Sequence, residues 1–298
     1  MEKRRIGSLE VTVVGLGCNN FGWRIPEKES AAVVAATLDA GVNFFDTADI
    51  YDKGTSEEYL GRALGKRRNE AVVATKFGKP MDERRQGGKP AYVREALEAS
   101  LRRLGTDHVD LYQMHAPDPE TPVEDTLGAL EELVREGKVR EIGCSNFSAE
   151  QLRQTPGRWA SVQNHYSLYT RTPEQDGVLE ECVRQGIAFI PYFPLESGLL
   201  TGKYRPGAPL PSGSRGEAGW GPKVFSERNL EWVERLRQFA ESRGHSVVEL
   251  AMSWLAGQPA VASIIAGATT PDQVRANTKA VGWQMTADEL KAVSEMRP

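Results

Sequence analysis

The sequence has few cysteines and no long apolar run, and both absences exclude classes of protein. Its three cysteines, Cys18, Cys144 and Cys182, show no CxxC or Cys/His spacing, so we expect reduced thiols rather than a disulfide scaffold or a structural zinc site. No apolar run approaches the roughly 20 residues that span a bilayer, and residues 1–15 lack the apolar core of a signal peptide. We therefore expect a cytoplasmic protein with no metal site and no membrane partner.

A strong charge imbalance is also missing. The formal net charge of −4 over 298 residues provides no broad basic surface for nucleic acid, so we predict a small-molecule partner and no nucleic acid. The length suits one (β/α)8 barrel, which commonly needs about 250 residues plus insertions. Residues 1–298 are therefore predicted to form a single domain, and the oligomeric state stays open.

Short apolar runs alternate with longer stretches of helical period along the chain, a pattern typical of a parallel sheet with crossover helices. Eight runs are predicted to be strands: residues 11–17, 42–46, 71–76, 108–115, 139–145, 160–164, 188–192 and 262–267. Helices are predicted around residues 30–41, 57–65, 91–104, 123–136, 149–155, 174–185, 227–243, 246–257 and 286–296, with one more after strand eight. The pattern predicts the α/β class and a (β/α)8 TIM barrel with an N-terminal β-hairpin and a C-terminal extra helix.

Local signals sharpen this prediction at two places. Thr270, Pro271 and Gln273 have the spacing of a helix N-cap, a first-turn proline and a capping box. The segment 196–226 is rich in Gly and Pro and has no periodicity, and loops of this length inside a compact domain are usually functional or disordered. Because the segment follows strand seven, we expect it on the face where barrel enzymes build their sites.

Polar side chains recur where the predicted strands end. They are Asp46, Lys76, His115, Ser145 with Asn146, Gln163 with Asn164, and Tyr192, at the ends of strands two to seven. Tyr51 lies five residues beyond Asp46. Taken singly, these residues are more typical of structure: a cap, a core histidine, a half-buried tyrosine or a surface lysine. Their recurrence at one end of six strands predicts a shared pocket.

Six runs in this order resemble motifs of the aldo-keto reductase superfamily, in particular its short-C-terminus branch of bacterial aldo/keto reductases and potassium-channel beta-subunit-like proteins. The runs are FFDTADIYDKGTSEEYLG, VVATKFG, DLYQMHAPD, IGCSNF, VQNHYS and PYFPLESGLLTGKY. The resemblance implies a barrel that binds an extended nicotinamide cofactor without a Rossmann unit. Consistently, Gly15, Gly17 and Asn20 do not fit the GxGxxG spacing.

The resemblance implies a catalytic tetrad of Asp46, Tyr51, Lys76 and His115. A phenol of pKa about 10 is protonated at pH 7, but its phenolate is costly. A lysine ammonium at roughly 4 Å would favour the phenolate by up to ~4 kcal/mol at an effective dielectric constant near 20, before the cost of burial. Asp46 would keep that ammonium charged and oriented, and His115 would orient the carbonyl oxygen of a substrate.

The resemblance also implies a cofactor site. Ser145, Asn146 and Gln163 would hold the carboxamide, and Tyr192 would stack on the nicotinamide ring, although a packing role also explains Tyr192. The remaining candidates, from the family's phosphate-binding loop and adenosine-binding motif, are Gly17, Leu195, Ser197, Gly198, Leu199, Lys203, Gly267, Thr269, Gln273 and Asn277.

The preference between NADP(H) and NAD(H) depends on fewer residues. Many relatives carry Lys or Arg for the 2′-phosphate where this chain has Gly267 and Thr269. Arg215 stands where some relatives use an arginine for the same group. We therefore predict NADP(H), with NAD(H) as the alternative. Gln273 is also explained as a capping residue alone.

Phe21, Trp23 and Trp220 are candidate walls of the substrate cleft, because aromatic side chains offer large rigid apolar surfaces, but packing explains each equally well. The chain ends soon after the last predicted helix, so we expect an open cleft. The first hypothesis for function is NADP(H)-dependent reduction of aldehydes or ketones, or the reverse oxidation. The alternative is an NADP(H)-binding sensor or regulatory subunit with little turnover, since the channel-associated branch keeps the same tetrad. Few residues precede the predicted barrel, which favours the enzyme.

Overall fold

The computed structural model describes residues 1–212, 214, 216–217 and 223–296. It begins with an antiparallel hairpin of strands β1 (Lys3–Ile6) and β2 (Leu9–Thr12). Ile6, Leu9 and Val11 are buried and pack against residues inside the barrel, such as Phe44 and Leu111. The hairpin therefore closes the amino end of the barrel.

Eight parallel strands form the closed barrel, and the predicted (β/α)8 architecture is confirmed. Around the barrel, β10 lies between β9 and β3, and β3 to β9 follow in chain order. The strands are β3 (Val14–Gly17), β4 (Phe44–Asp46), β5 (Val72–Phe77), β6 (Val109–Met114), β7 (Val139–Ser145), β8 (Ser161–His165), β9 (Ala188–Tyr192) and β10 (Ile264–Gly267). Strands covered on both faces need apolar residues on both, and all six residues of β6 are accordingly buried.

Helices surround the strands. They are α1 (Glu27–Asp39), α2 (Thr55–Leu64), α3 (Pro90–Leu104), α4 (Val123–Arg135), α5 (Ala149–Gln154), α6 (Thr172–Gln175), α7 (Val178–Gln185), α8 (Glu227–Glu241), α9 (Val247–Ala256), α10 (Pro271–Lys279) and the closing α11 (Ala287–Glu295). Short 3-10 helices span Tyr51–Gly54, Gly65–Glu70 and Glu196–Thr201. Within the described ranges, no helix combines the length and the apolar character needed to cross a membrane.

Two of the predicted elements needed correction. The run 11–17 is not one strand, because the buried Thr12 turns the chain: its hydroxyl donates to the carbonyl oxygen of Val14 at 2.8 Å, and its backbone N–H donates to Asn43 Oδ1 at 2.8 Å. The predicted helix 174–185 divides into α6 and α7 at Gly177, whose φ of 80° is left-handed. At α10, Thr270 caps the helix as predicted.

The capping box at α10 is only half formed. The Gln273 side chain accepts from the backbone N–H of Thr269 at 2.8 Å, one residue before the N-cap where a capping box would place the bond. Gln273 therefore fastens the end of the loop after β10 to the helix that follows it.

Candidate active site

A cavity of about 720 Å³ opens at the carboxyl ends of the barrel strands. It brings together the side chains predicted to share a pocket. Asp46, Tyr51, His115, Ser145, Asn146, Gln163 and Tyr192 all line it. Asn164 does not, because its amide donates to the carbonyl oxygen of Phe147 at 2.8 Å. The cavity thus collects residues from β4 and β6 to β9.

Lys76 lies beneath the cavity floor and connects Asp46 with Tyr51. Its ammonium nitrogen is 2.6 Å from Asp46 Oδ2 and 3.5 Å from the Tyr51 hydroxyl. It also donates to the carbonyl oxygen of Thr47 at 2.7 Å. Asp46 ends β4, Lys76 belongs to the neighbouring β5, and Tyr51 opens the 3-10 helix after β4. Two adjacent strands and the loop after the first therefore assemble the triplet.

The second oxygen of Asp46 is held by two amides. Asp46 Oδ1 accepts from Gln163 at 2.9 Å and from Gln113 at 3.2 Å. Sequence reasoning missed Gln113. Its signal in the sequence was an amide at the inward position that alternation from Leu111 assigns, in a strand that also contains Asp110. The two amides fix the carboxylate that in turn orients Lys76.

Burial and paired charge shift the pKa values of Lys76 and Tyr51. Burial alone would lower the pKa of Lys76, but the charge of Asp46, its hydrogen bond and the nearby Tyr51 outweigh it, so the pKa is raised. Burial raises the pKa of Tyr51 above its ordinary value near 10, and the opposing charge of Lys76 only partly offsets this. The stabilisation of a phenolate expected from the sequence is therefore outweighed by burial. Both groups are protonated at neutral pH.

His115 faces Tyr51 across the cavity. The two rings meet edge to face, with centroids 5.8 Å apart and planes at 84°. Burial lowers the pKa of His115 well below 6.5, and the charges of Lys76 and Lys79 lower it further. Its Nδ1 is buried without a hydrogen-bond partner in the described part of the chain. His115 is therefore a neutral imidazole at pH 7, and Nε2 is the nitrogen left for a ligand.

The other side of the cavity is built from neutral polar groups. The Tyr192 hydroxyl donates to Asn146 Oδ1 at 2.8 Å, and Asn146 Nδ2 donates to the backbone carbonyl oxygen of His115 at 2.9 Å. The Ser145 hydroxyl donates to the backbone carbonyl oxygen of Gln163 at 2.8 Å. The ring of Tyr192 stacks on His165 at 5.3 Å. These contacts hold β7, β8 and β9 together at the cavity edge.

Glycines keep part of this side free of side chains. A Cβ atom at Gly17 would lie 2.9 Å from Ile265 Cγ2, and one at Gly267 would lie 3.1 Å from Asn20 Nδ2. Gly198 has a φ of 99° that side chains of L-residues rarely adopt. Backbone groups are thereby exposed along a strip that also carries Lys203. Such a strip fits the phosphates of an extended dinucleotide.

Most predicted cofactor residues line the cavity. These are Gly17, Ser145, Asn146, Gln163, Tyr192, Leu195, Ser197, Gly198, Lys203, Gly267, Thr269, Gln273 and Asn277. Leu199 does not, because its side chain is fully buried in the core between barrel and helices. Arg215 lies outside the described residues.

The residues predicted to form the walls of the substrate cleft are not found in the cavity lining of the described residues. Phe21 was predicted wrongly, since it is fully buried in the hydrophobic core. Trp23 does not line the cavity: it is half exposed on the loop after β3, and its indole N–H donates to the carbonyl oxygen of Asn19. Trp220 lies outside the described residues. Sequence reasoning missed two residues that do line the cavity, Arg24 and Lys79.

Metal ligands do not gather at this site or elsewhere in the ranges that the structure covers, where no group of three or more His, Cys, Asp or Glu side chains has the geometry to hold an ion.

Comparison with known proteins gives matches over nearly the whole chain. The sequence profile of the aldo/keto reductase family matches residues 13–298. An uncharacterized oxidoreductase of Bacillus subtilis is 34% identical, over 98% of this chain and 95% of its own. A probable voltage-gated potassium channel subunit beta of Arabidopsis thaliana is 32% identical, over 100% of this chain and 98% of its own. The solved structure of the glycerol dehydrogenase of Gluconobacter oxydans is 33% identical, with a TM-score of 0.86, and the match covers 99% of this chain and 94% of that one.

Proposed function

Because this chain belongs to the aldo/keto reductase family, whose members bind nicotinamide cofactors, we propose that it reduces aldehydes or ketones to alcohols with NADP(H), or catalyses the reverse, with Tyr51 as general acid and base. One observation carries the proposal. The Lys76 ammonium lies 2.6 Å from Asp46 and 3.5 Å from the Tyr51 hydroxyl, in a cavity that His115 also lines.

Tyr51 is the better proton donor of the two candidates in the cavity. His115 is neutral at pH 7, so its remaining ring proton is far too weakly acidic to be given up. Tyr51 carries a proton at the same pH and has a cation beside the oxygen that loses it. A neutral His115 instead donates one hydrogen bond to the carbonyl oxygen of the substrate, which fixes the orientation of the carbonyl.

Lys76 lowers the cost of the phenolate that forms when Tyr51 gives up its proton. At about 4 Å, an ammonium stabilises an anion by up to ~4 kcal/mol at an effective dielectric constant near 20. That interaction is present only while Lys76 stays charged and in place, and the raised pKa of Lys76 and its bond to Asp46 maintain both conditions. In the oxidative direction the same phenolate takes the proton back from an alcohol.

The cofactor would lie along the neutral side of the cavity. When bound, its nicotinamide supplies the hydride for the reduction and takes it in the reverse direction. Ser145, Asn146 and Tyr192 would position the ring, and Gly198 and Lys203 would receive the phosphates. Gln163 donates to Asp46, so this residue would link the cofactor side to the catalytic carboxylate. Arg215 supports the choice of NADP(H) on sequence alone.

The test is Tyr51→Phe, assayed by NADPH oxidation with 4-nitrobenzaldehyde and by equilibrium binding of NADPH and NADH. Loss of a general acid costs about 10²–10⁴ in rate, so kcat should fall by that factor while the Kd of NADPH stays within about twofold. NADPH should bind more tightly than NADH in both proteins. Tyr59→Phe, on the outer helix α2, is the matched control and should turn over like the unmodified enzyme.

The similarity to the potassium channel subunit beta of Arabidopsis thaliana supports a second candidate function, that of a cofactor-binding subunit with little turnover. The same experiment separates the two. Tight NADPH binding without turnover of aldehydes, ketones or alcohols would favour the subunit, and undiminished turnover in Tyr51→Phe would remove Tyr51 from the mechanism.

A further inference from the structure

Lys79 is a cation of the cavity wall that the tetrad does not use. It lies three residues beyond Lys76, lines the cavity and is partly buried. Among the described residues, no carboxylate lies within salt-bridge distance of its ammonium group and no acceptor hydrogen-bonds to it. A partly buried cation without a partner is costly, because it loses water without gaining an opposite charge.

The loop that carries Lys79 is fixed. Gly78 has a φ of 107°, and its carbonyl oxygen accepts from the backbone N–H of Gly87 at 2.8 Å. The preceding carbonyl, of Phe77, accepts from the backbone N–H of His115 at 2.8 Å. These bonds set Lys79 beside His115. Burial and the charge of Lys76 lower the pKa of Lys79, and the charge of Lys79 in turn contributes to the lowered pKa of His115.

Lys79 is also far from the strip suited to the cofactor phosphates. It follows β5, which stands diametrically opposite β9 in the eight-stranded order, and the loop after β9 carries Gly198 and Lys203. The cavity therefore has one lysine on each wall, with the tetrad between them. Lys203 faces the phosphate strip, whereas Lys79 faces the side left for the substrate.

Two cations that line the cavity, Lys79 and Arg24, have no carboxylate partner among the described residues. Arg24 stacks over Trp23, with 5.5 Å between the guanidinium carbon and the ring centroid, and no carboxylate pairs with it in the described part of the chain. Asp46, the acidic residue of the cavity lining, is neutralised by Lys76 at 2.6 Å. The described lining therefore carries a net positive charge, and Lys79 is its unpaired cation opposite the phosphate strip.

We propose that the carbonyl substrate also carries an anionic group, either a carboxylate or a phosphate, and that this group binds the Lys79 ammonium. This inference rests on the proposed reduction and adds the substrate class to it. The anionic group is unchanged in the reaction. Hydride from the nicotinamide adds to the carbonyl carbon of the substrate, and the carbonyl oxygen takes the proton of Tyr51. The anion is held on the wall opposite the phosphate strip, and this placement directs the carbonyl towards Tyr51 and His115.

The experiment compares three aldehydes of one shape: 4-nitrobenzaldehyde, 4-carboxybenzaldehyde and 4-formylphenyl phosphate. The unmodified enzyme should have a higher kcat/KM for one or both anions than for the nitro compound, and the better anion identifies the group. In Lys79→Met the anion-to-nitro ratio of kcat/KM should fall about tenfold, which corresponds to ~1.4 kcal/mol. Lys79→Arg should restore most of the ratio. Lys66→Met, an exposed lysine after α2, removes the same charge at a distance and should leave the ratio unchanged.

A binding measurement makes the result independent of turnover. Titration of terephthalate into the protein should show binding that weakens about tenfold in Lys79→Met but not in Lys66→Met. If no aldehyde is reduced, Lys79-dependent binding of terephthalate still supports the anion site while the proposed reduction fails. If aldehydes are reduced and neither the ratio nor terephthalate binding depends on Lys79, the reduction stands and the anion site is rejected.

Discussion

The two halves of the barrel mouth differ in the kind of group that they place there. The charged half, at the ends of β4 and β5, holds Asp46, Asp49 and Lys76, each with at most 2% of its surface exposed. The neutral half, at the ends of β7 to β10, lines the cavity with amides, hydroxyls and glycine backbone. Its buried carboxylate, Glu196, lies outside the lining, and its lysine, Lys203, is exposed. In the first half the proposed chemistry depends on buried charge, and in the second the proposed cofactor site depends on shape and backbone.

This difference determines how function and stability are connected. A buried charge is tolerated only with its partner, so a change in the charged half should disturb folding and turnover together. Tyr192, Asn146 and Ser145 of the neutral half bond to one another or to backbone carbonyl oxygens, and need no charge to be satisfied. Changes there should affect binding with little effect on folding.

The largest effect is expected from Lys76→Met, which leaves Asp46 buried without its cation. Breaking a buried pair costs about 3–5 kcal/mol, and the free energy of unfolding should fall by that amount while turnover is lost. Asp46→Asn combined with Lys76→Met removes both charges and should recover most of the stability but no turnover. Urea unfolding and NADPH oxidation measure the two effects. A double variant as unstable as Lys76→Met would show that packing, not charge, holds this half together.

The next effect concerns Asp49, a buried carboxyl that lies away from the cavity. Its Oδ2 is 3.5 Å from the Tyr92 hydroxyl, and its Oδ1 has no partner in the ranges described. Burial, together with the charge of Glu57, raises the pKa of Asp49 to about 7. An unfolded chain loses this proton near pH 4. Between about pH 4 and pH 7 the folded state therefore binds the extra proton, so the contribution of Asp49 to stability falls as the pH rises.

Asp49→Asn should remove this dependence. From pH 5 to pH 8 the free energy of unfolding of the variant should improve relative to the unmodified protein by about 3 kcal/mol, since each pKa unit is worth about 1.4 kcal/mol. Denaturant unfolding at the two pH values measures it. Asp52→Asn, an exposed neighbour whose φ of 46° also suits asparagine, is the control. Parallel pH dependence in all three proteins would mean that Asp49 is already ionised in the fold.

The barrel was predictable because most of its strands are short apolar runs between helical stretches, although β8, SVQNH, has only one apolar residue. The pattern failed where side-chain bonds override it, as Thr12 does by turning the chain inside one apolar run. The candidate site was predictable to the same extent, because the carboxyl ends of parallel strands meet at one edge. The assignment of a tetrad came from the family resemblance, because Tyr51 lies in a loop and not at a strand end.

Loop side chains were not predictable in the same way. Phe21 and Leu199 lie in segments without periodicity, so nothing in the sequence tells which side of the loop faces the core; both are buried there. Lys79 presents the opposite difficulty. A lysine is an ordinary residue in a loop. What distinguishes Lys79 is that no described carboxylate lies near it, and this can be seen only when the neighbouring elements are in place. Gln113 did carry a signal, because it is a polar residue at an inward strand position, but it lies before the strand end and so outside the pattern of polar strand ends.

The smallest effect, and the sharpest contrast between the halves, is expected from Lys203→Met. Lys203 is exposed on the strip where the phosphates would bind, so removing its charge should raise the Kd of NADPH about tenfold, or ~1.4 kcal/mol, and weaken the salt dependence of binding. The free energy of unfolding without cofactor should change by less than about 0.5 kcal/mol, as for other surface substitutions. Fluorescence titration of NADPH at two ionic strengths, with Lys66→Met as the control, measures the binding. A Lys203→Met protein that binds NADPH normally, or one destabilised as strongly as Lys76→Met, would erase the distinction between a half that depends on buried charge and one that does not.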